Sequence, residues 1–205
     1  MDVLEKIFSS PAQLKAMRLF LYNPDTVFDM GSVKRKTQLS SRVAAKELHR
    51  LSAADFVRER MVARVLSRRR KGSGAARKIK GWALNNRFPY LEQFRDLLMS
   101  CHDFERAVIA KRFSRAGRVK LLAISGVFLR SEEFSRVDIL IVGDHLRQPV
   151  ISTALKATES TLGKELRYAV LDTKDFLYRL SIYDKFIRDI LDYPHEKLID
   201  KFGLR

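Results

Sequence analysis

The chain has 205 residues, 46% of them hydrophobic, and carries 40 lysines and arginines against 24 aspartates and glutamates, a net charge of +16. This is apolar surface enough for one large or two small folded domains, which excludes a disordered basic tail. No apolar run approaches the roughly 18 residues of a membrane span, the opening MDVLEKIFSSP carries acidic residues and no long apolar core, and a lone Cys101 excludes an internal disulfide, so a cytoplasmic protein with no membrane partner is expected.

In chain order, Ser10-Pro11 is a helix start, a capping hydroxyl before a residue of preset φ. Leu14, Met17, Phe20 and Leu21 recur at helical spacing until Asn23-Pro24 ends the helix. Asp29 caps a short second helix to about Arg35, and Ser40 or Ser41 caps a third to about Leu51. On that third helix Ala44, Leu48 and Leu51 share an inward face, and Arg42, Lys46, His49 and Arg50 an outward one. From Phe56 the period changes to two. FVRERMVARVLSRRR alternates apolar and basic residues, KGSGAARK turns the chain, and IKGWALN returns, a long basic hairpin. Trp82 on the returning strand reads as a core residue. Residues 1–100 hold 21 basic and 9 acidic side chains, and residues 42–80 alone hold 13 and 3, the footprint of a module for a polyanion, nucleic acid above all.

Three helices followed by a basic hairpin resemble the winged helix-turn-helix regulators over residues 8–86. The resemblance implies double-stranded DNA as partner, with the third helix in the major groove and the wing along phosphates. It assigns Ser40, Ser41, Arg42, Ala45 and Lys46 to base edges. Lys34, Lys36, Thr37 and Gln38 fall to phosphates flanking the turn, and Arg68, Arg69, Arg70, Lys71, Arg77 and Lys78 to the wing tip. Two further helices, about 88–99 and 102–113, read as a connector, and their apolar stripes offer a homodimer surface.

The second half reads strand, loop, strand, helix, strand, helix. VKLLAIS and VDILIV are buried-strand runs, 148–162 is a helix closed by Gly163, ELRYAVLD is a third strand, and DFLYRLSIYDKFIRDIL is one long helix. LLAISGVF, VDILIVGD, LGKELRYAVL and KDFLYRL look like the minimal nucleotidyltransferase domains of the DNA polymerase beta superfamily, over about 117–200. Those proteins carry Gly-Ser after the first strand and Asp-x-Asp at the second, because two magnesium ions need clustered carboxylates. Here Ser125-Gly126 is followed by Val127 where serine belongs, and Arg136 precedes Asp138 where the first aspartate belongs. Asp172, at the end of the third strand, reads as a cap. The resemblance therefore implies a degenerate domain with no catalytic residues, no metal and no cofactor. Ser125, Gly126, Arg130, Arg136 and Asp138 then line a remnant cleft for an anionic small ligand, with Arg136 either pairing with phosphate or forming an internal ion pair with Asp138 or Glu133.

His49, His102, His145 and His195 are scattered and no P-loop or GxGxxG occurs. The expected organisation is an α/β (α+β) chain: 1–86 winged helix, 87–116 connector helices, 117–205 nucleotidyltransferase-like mixed-sheet domain. The expected function is a DNA-binding transcriptional regulator whose second domain senses a ligand or mediates association. The alternatives are an active nucleotidyltransferase modifying nucleic acid or protein, and a structural or RNA-associated protein using the same basic surface.

Overall fold

The computed structural model describes residues 8, 10–65, 76–100, 106–129, 131, 133 and 135–204, the side chains of 62–65, 76, 77, 99 and 100 excepted. The chain is α+β and divides into two compact units, Met1–Cys101 with Glu159–Lys164, and His102–Thr158 with Glu165–Arg205. The two helices read from the sequence as a connector fall in different units.

The first unit is built around α1 (Pro11–Leu21), capped by Ser10, whose hydroxyl accepts from the Gln13 N–H at 3.1 Å. All residues from Ala16 to Leu21 are buried, so this helix is packed on every side. Even Arg18 is enclosed, its Nε donating to the Leu98 carbonyl at 3.4 Å. The helix stops where the Asn23 side-chain amide donates to the Leu19 carbonyl at 2.7 Å, satisfying one of the acceptors a helix end leaves open.

β1 (Phe28–Asp29) leads into α2 (Met30–Thr37), capped by Asp29, and α3 (Ser41–Ala53), capped by Ser40. β2 (Val57–Val65) and β3 (Ala76–Leu84) form the hairpin, antiparallel from Val57↔Leu84 to Val65↔Ala76. β1 joins the far side of β3 with Phe28 opposite Trp82, giving the order β1-β3-β2. α4 (Leu91–Ser100) turns Leu91 and Leu98 inward, and Phe94 makes ring contacts with Phe56 and Phe88. Its apolar stripe thus completes this unit's own core.

The second unit contains α5 (Arg106–Ser114), β4 (Arg118–Ser125), a 3-10 turn at Gly126–Phe128, β5 (Ile139–Asp144) and α6 (Gln148–Leu162), whose last residues count with the first unit. β6 (Tyr168–Leu171), α7 (Thr173–Ser181), α8 (Lys185–Leu191) and β7 (His195–Asp200) complete it. The sheet order is β6-β5-β4-β7, with β5 and β6 parallel and the other pairs antiparallel. Leu121 to Ile124 and Ile139 to Val142 are buried on both faces, which is why these strands read as continuous apolar runs. Leu121, Ala123, Leu140 and Val142 pack with Phe176, Ile187 and Ile190 of α7 and α8.

Two features depart from the sequence reading. The single helix expected from Asp175 is broken, because Tyr183 takes a left-handed φ of 55° and Asp184 caps a new helix by accepting from the Phe186 and Ile187 N–H groups. The segment HEKLID, unassigned from sequence, is the edge strand β7, whose charged residues suit a strand with one unpaired side.

Asp200 closes the C-terminal turn by accepting from the Phe202, Gly203 and Leu204 N–H groups at 2.9 to 3.0 Å. Burial pushes its pKa up, but the Phe202 and Gly203 donors and Lys197 outweigh that, so it sits below the ordinary aspartate value. A depressed folded pKa means that the turn's contribution is complete above the unfolded value and is lost as pH falls through the folded one. The Gly203 amide resonance is therefore expected to titrate with an apparent pKa below that of a free aspartate, and to lose that transition in Asp200→Asn.

Candidate nucleic-acid interface and the Asp138 cleft

α3 is anchored by Ala44, Leu48 and Leu51, all buried in the first core, and this fixes which side chains it turns outward. Ser41, Arg42, Ala45, Lys46 and His49 are exposed along it. Arg42 and Lys46 make no ion pair among the described residues, whereas Arg50 on the same helix is paired with Glu47 at 3.5 Å. The first two are the cations of α3 left to meet an external anion. Ser40 is occupied locally, its hydroxyl accepting from the Val43 N–H at 3.4 Å. As an N-cap it holds the start of α3 at a cost of about 1 kcal/mol if removed, so Ser40→Ala is expected to lower the unfolding free energy of the first unit by that amount in urea denaturation.

The turn before α3 is divided. Gln38 is exposed at a left-handed φ of 56°, and Lys34 and Lys36 are half-buried, with the Lys36 ammonium 6.0 Å from the centre of the Phe28 ring. Thr37, assigned to phosphate from sequence, is 1% exposed and donates to the Val33 carbonyl at 2.7 Å. A hydroxyl so enclosed stiffens the turn and does not reach a ligand.

In the hairpin, Arg68, Arg69, Arg70 and Lys71 lie outside the described residues, and Arg77 is described only by its backbone, opposite Arg64. Lys78 is exposed. Toward the base, Arg58 is paired in a two-bond fork with Asp55, and Lys80 with Glu59. Arg60 is exposed with no ion pair among the described residues. The sequence reading did not select it, although the alternation of FVRERMVAR marks it as an outward strand position. Trp82 is buried and has the Lys80 ammonium 5.6 Å from its ring centre, so its indole serves the core. Ala45, His49, Ser52, Glu59, Lys80 and Trp82 line a groove of about 430 Å³ between α3 and the hairpin.

In the second unit, Asp138 is 2% exposed just before β5. Its Oδ1 accepts from the Val127 N–H at 3.0 Å and from an Arg167 terminal nitrogen at 3.3 Å. Its Oδ2 accepts from the Arg167 N–H at 2.8 Å and from Arg167 Nε at 3.3 Å. Four donors meet the roughly four lone-pair sites of a carboxylate. Gly126, φ +57°, makes this approach feasible, since a Cβ there would stand 2.3 Å from Asp138 Oδ1. Ser125 and Ser135 hydrogen-bond each other at 2.9 Å and both reach the Val137 carbonyl. Arg136, half-exposed, is ion-paired with Asp189 of α8, a third partner beside the Asp138 and Glu133 weighed from the sequence. Arg130 lies outside the described residues, and Asp172 caps α7.

These residues do not fit a magnesium site. Asp138 has no lone pair left, Val127 presents no hydroxyl, and the nearest cognate of a second carboxylate is the guanidinium of Arg136. Among the described residues, no three His, Cys, Asp or Glu side chains cluster to hold a metal ion. The partners Arg167 and Asp189 stand 29 and 53 residues from the groups they neutralise, beyond any local pattern.

No family model, curated protein or solved structure matches the chain.

Proposed function

We propose that this chain is a DNA-binding transcriptional regulator: a winged helix in the first unit, joined to a nucleotidyltransferase-like unit without transfer activity. The observation that carries the reading is the outward face of α3, where Arg42 and Lys46 stand without an ion pair among the described residues, on a helix locked to the core by Ala44, Leu48 and Leu51. Cations of this kind give up no internal ion pair on meeting phosphate or a base edge. Two further facts support it. The first unit runs α1-β1-α2-α3-β2-β3 with sheet order β1-β3-β2, the arrangement expected of a helix-turn-helix followed by a wing. Residues 101–205, by contrast, hold 19 basic and 15 acidic side chains against 21 and 9 in residues 1–100, so the cationic excess lies with the first unit.

Selection of fragmented genomic DNA by the full chain, followed by sequencing, tests the reading. Enrichment of one short motif is the expected result; uniform recovery of all fragments would remove the regulatory role. For the second unit, the order β6-β5-β4 with β5 parallel to β6, and Gly126 turning the chain beside Asp138, support a nucleotidyltransferase-like scaffold. The saturation of Asp138 supports its inactivity. Incubation with each labelled ribonucleoside triphosphate, with magnesium or manganese, is expected to label neither the protein nor added nucleic acid. Labelling that disappears in Asp138→Ala would restore the enzyme reading.

A further inference from the structure

We propose that the α7–α8 face of the second unit is the surface through which two copies of this chain associate. Residues 173–192 carry four basic and four acidic side chains, a net charge of zero in a chain of +16. Arg179 is paired with Asp175 and Asp184, and Arg188 with Asp192. Two molecules of this charge repel each other at nearly any contact, and a segment with no net charge of its own is where that repulsion is least. An isologous interface brings a patch against itself, so each charge must find its opposite within the same patch, and this one holds equal numbers of both.

The face is also apolar where a monomer gains nothing from it. Leu177, Tyr178, Ile182 and Tyr183 are all exposed, Tyr178 at 63% and Tyr183 at 76%. Tyr183 lines a groove of about 370 Å³ with Leu180, Ile187, Leu191 and Leu204 and with the ion-paired Arg179 and Arg188 and their aspartates. Tyr183 sits at a left-handed φ of 55°, a region in which a bulky aromatic is strained and glycine is at ease. A strained aromatic ring turned to solvent is accounted for by something that packs on it, and the groove of a second copy offers it the aliphatic Leu180, Leu191 and Leu204 between paired charges. The two helices suggested by the sequence are weaker choices, because Leu91, Phe94 and Leu98 of α4 are consumed by the core of the first unit and leave Leu97 outside, and Ile109 and Phe113 of α5 are buried.

The test is light scattering and sedimentation equilibrium on the full chain without nucleic acid, so that its outcome is separate from that of DNA binding. A dimer is expected at about 100 μM. Because salt screens the repulsion between two basic molecules, association should tighten as ionic strength rises from about 0.05 to 0.5 M. Tyr183→Gly should weaken it about 30-fold or more, the scale of removing a buried aromatic anchor, with a melting temperature at or above wild type because the backbone strain is relieved. Tyr178→Glu should also give monomers, and Leu97→Glu should not. A wild-type monomer at every salt concentration would leave the face to some other partner and overturn the proposal. So would a dimer unaffected by both tyrosine variants, one that dissociates in salt, or one abolished by Leu97→Glu.

Discussion

Asp138→Ala is expected to destabilise the second unit by about 3 kcal/mol, the sum of leaving the buried Val127 N–H and the Arg167 N–H without an acceptor. Asp138→Asn should cost nearly as much, because its amide turns a donor toward the donors of Arg167. The sign of the effect distinguishes this arrangement from a metal site. In a cluster of catalytic acids, removing one carboxylate relieves like-charge repulsion and the metal-free protein gains stability. Here the carboxylate holds Gly126–Phe128 and the start of β6 together, and thermal unfolding should shift downward. Gly126→Ala is expected to be at least as damaging, since its Cβ meets Asp138 Oδ1 at 2.3 Å in a left-handed conformation. In the Asp138→Ala background that clash has no partner, and Gly126→Ala should then cost the backbone term of about 1–2 kcal/mol and the close contact with Ser135 Cβ at 3.3 Å. A strongly non-additive double-mutant cycle in urea denaturation is the expected result; additive losses would mean that the two residues do not act on one another.

Arg42→Ala is expected to weaken binding to the preferred duplex by about 1–3 kcal/mol while changing affinity for random DNA little, the mark of an interaction with a base edge. Lys46→Ala should act in the same direction. Arg68, Arg69 and Arg70, which enter by charge alone, should behave differently. Their joint replacement by alanine is expected to weaken all sequences equally and to reduce the log-log salt slope by about 0.9 for each phosphate no longer neutralised. Fluorescence anisotropy with a preferred and a scrambled duplex separates the two classes. Weakening confined to the preferred duplex in the arginine-triplet variant, or spread equally over both in Arg42→Ala, would reverse the assignment.

The sequence makes the faces of α3 legible because burial follows the helical period directly: Ala44, Leu48 and Leu51 recur at intervals of three and four, and all are buried. The hairpin is equally legible, since its two-residue alternation sets which positions pair. Thr37 is not, because a threonine beside three cations looks like a phosphate ligand until α2 is seen to run on to it and place it one turn after the buried Val33. The break at Tyr183 carries neither glycine nor proline; its only trace is Asp184, a capping residue inside an apparently continuous helical pattern. β7 is legible only through its partner, because a six-residue charged edge strand acquires its conformation from pairing with β4. The Asp138 network lies furthest from what sequence can reveal. Its acid can be placed from the strand pattern, but whether that acid is free or spent depends on Arg167, a residue no spacing rule connects to it.

Whether α3 and the basic hairpin bind duplex DNA is decided by the affinity of the full chain for a mixed-sequence duplex, measured against salt. Tight binding at low ionic strength is predicted, with a log-linear fall as salt is raised and a marked weakening on the selected motif in the Arg42→Ala, Lys46→Ala double variant. Absence of salt-sensitive binding to duplex DNA at low ionic strength would contradict the assignment of this surface to DNA.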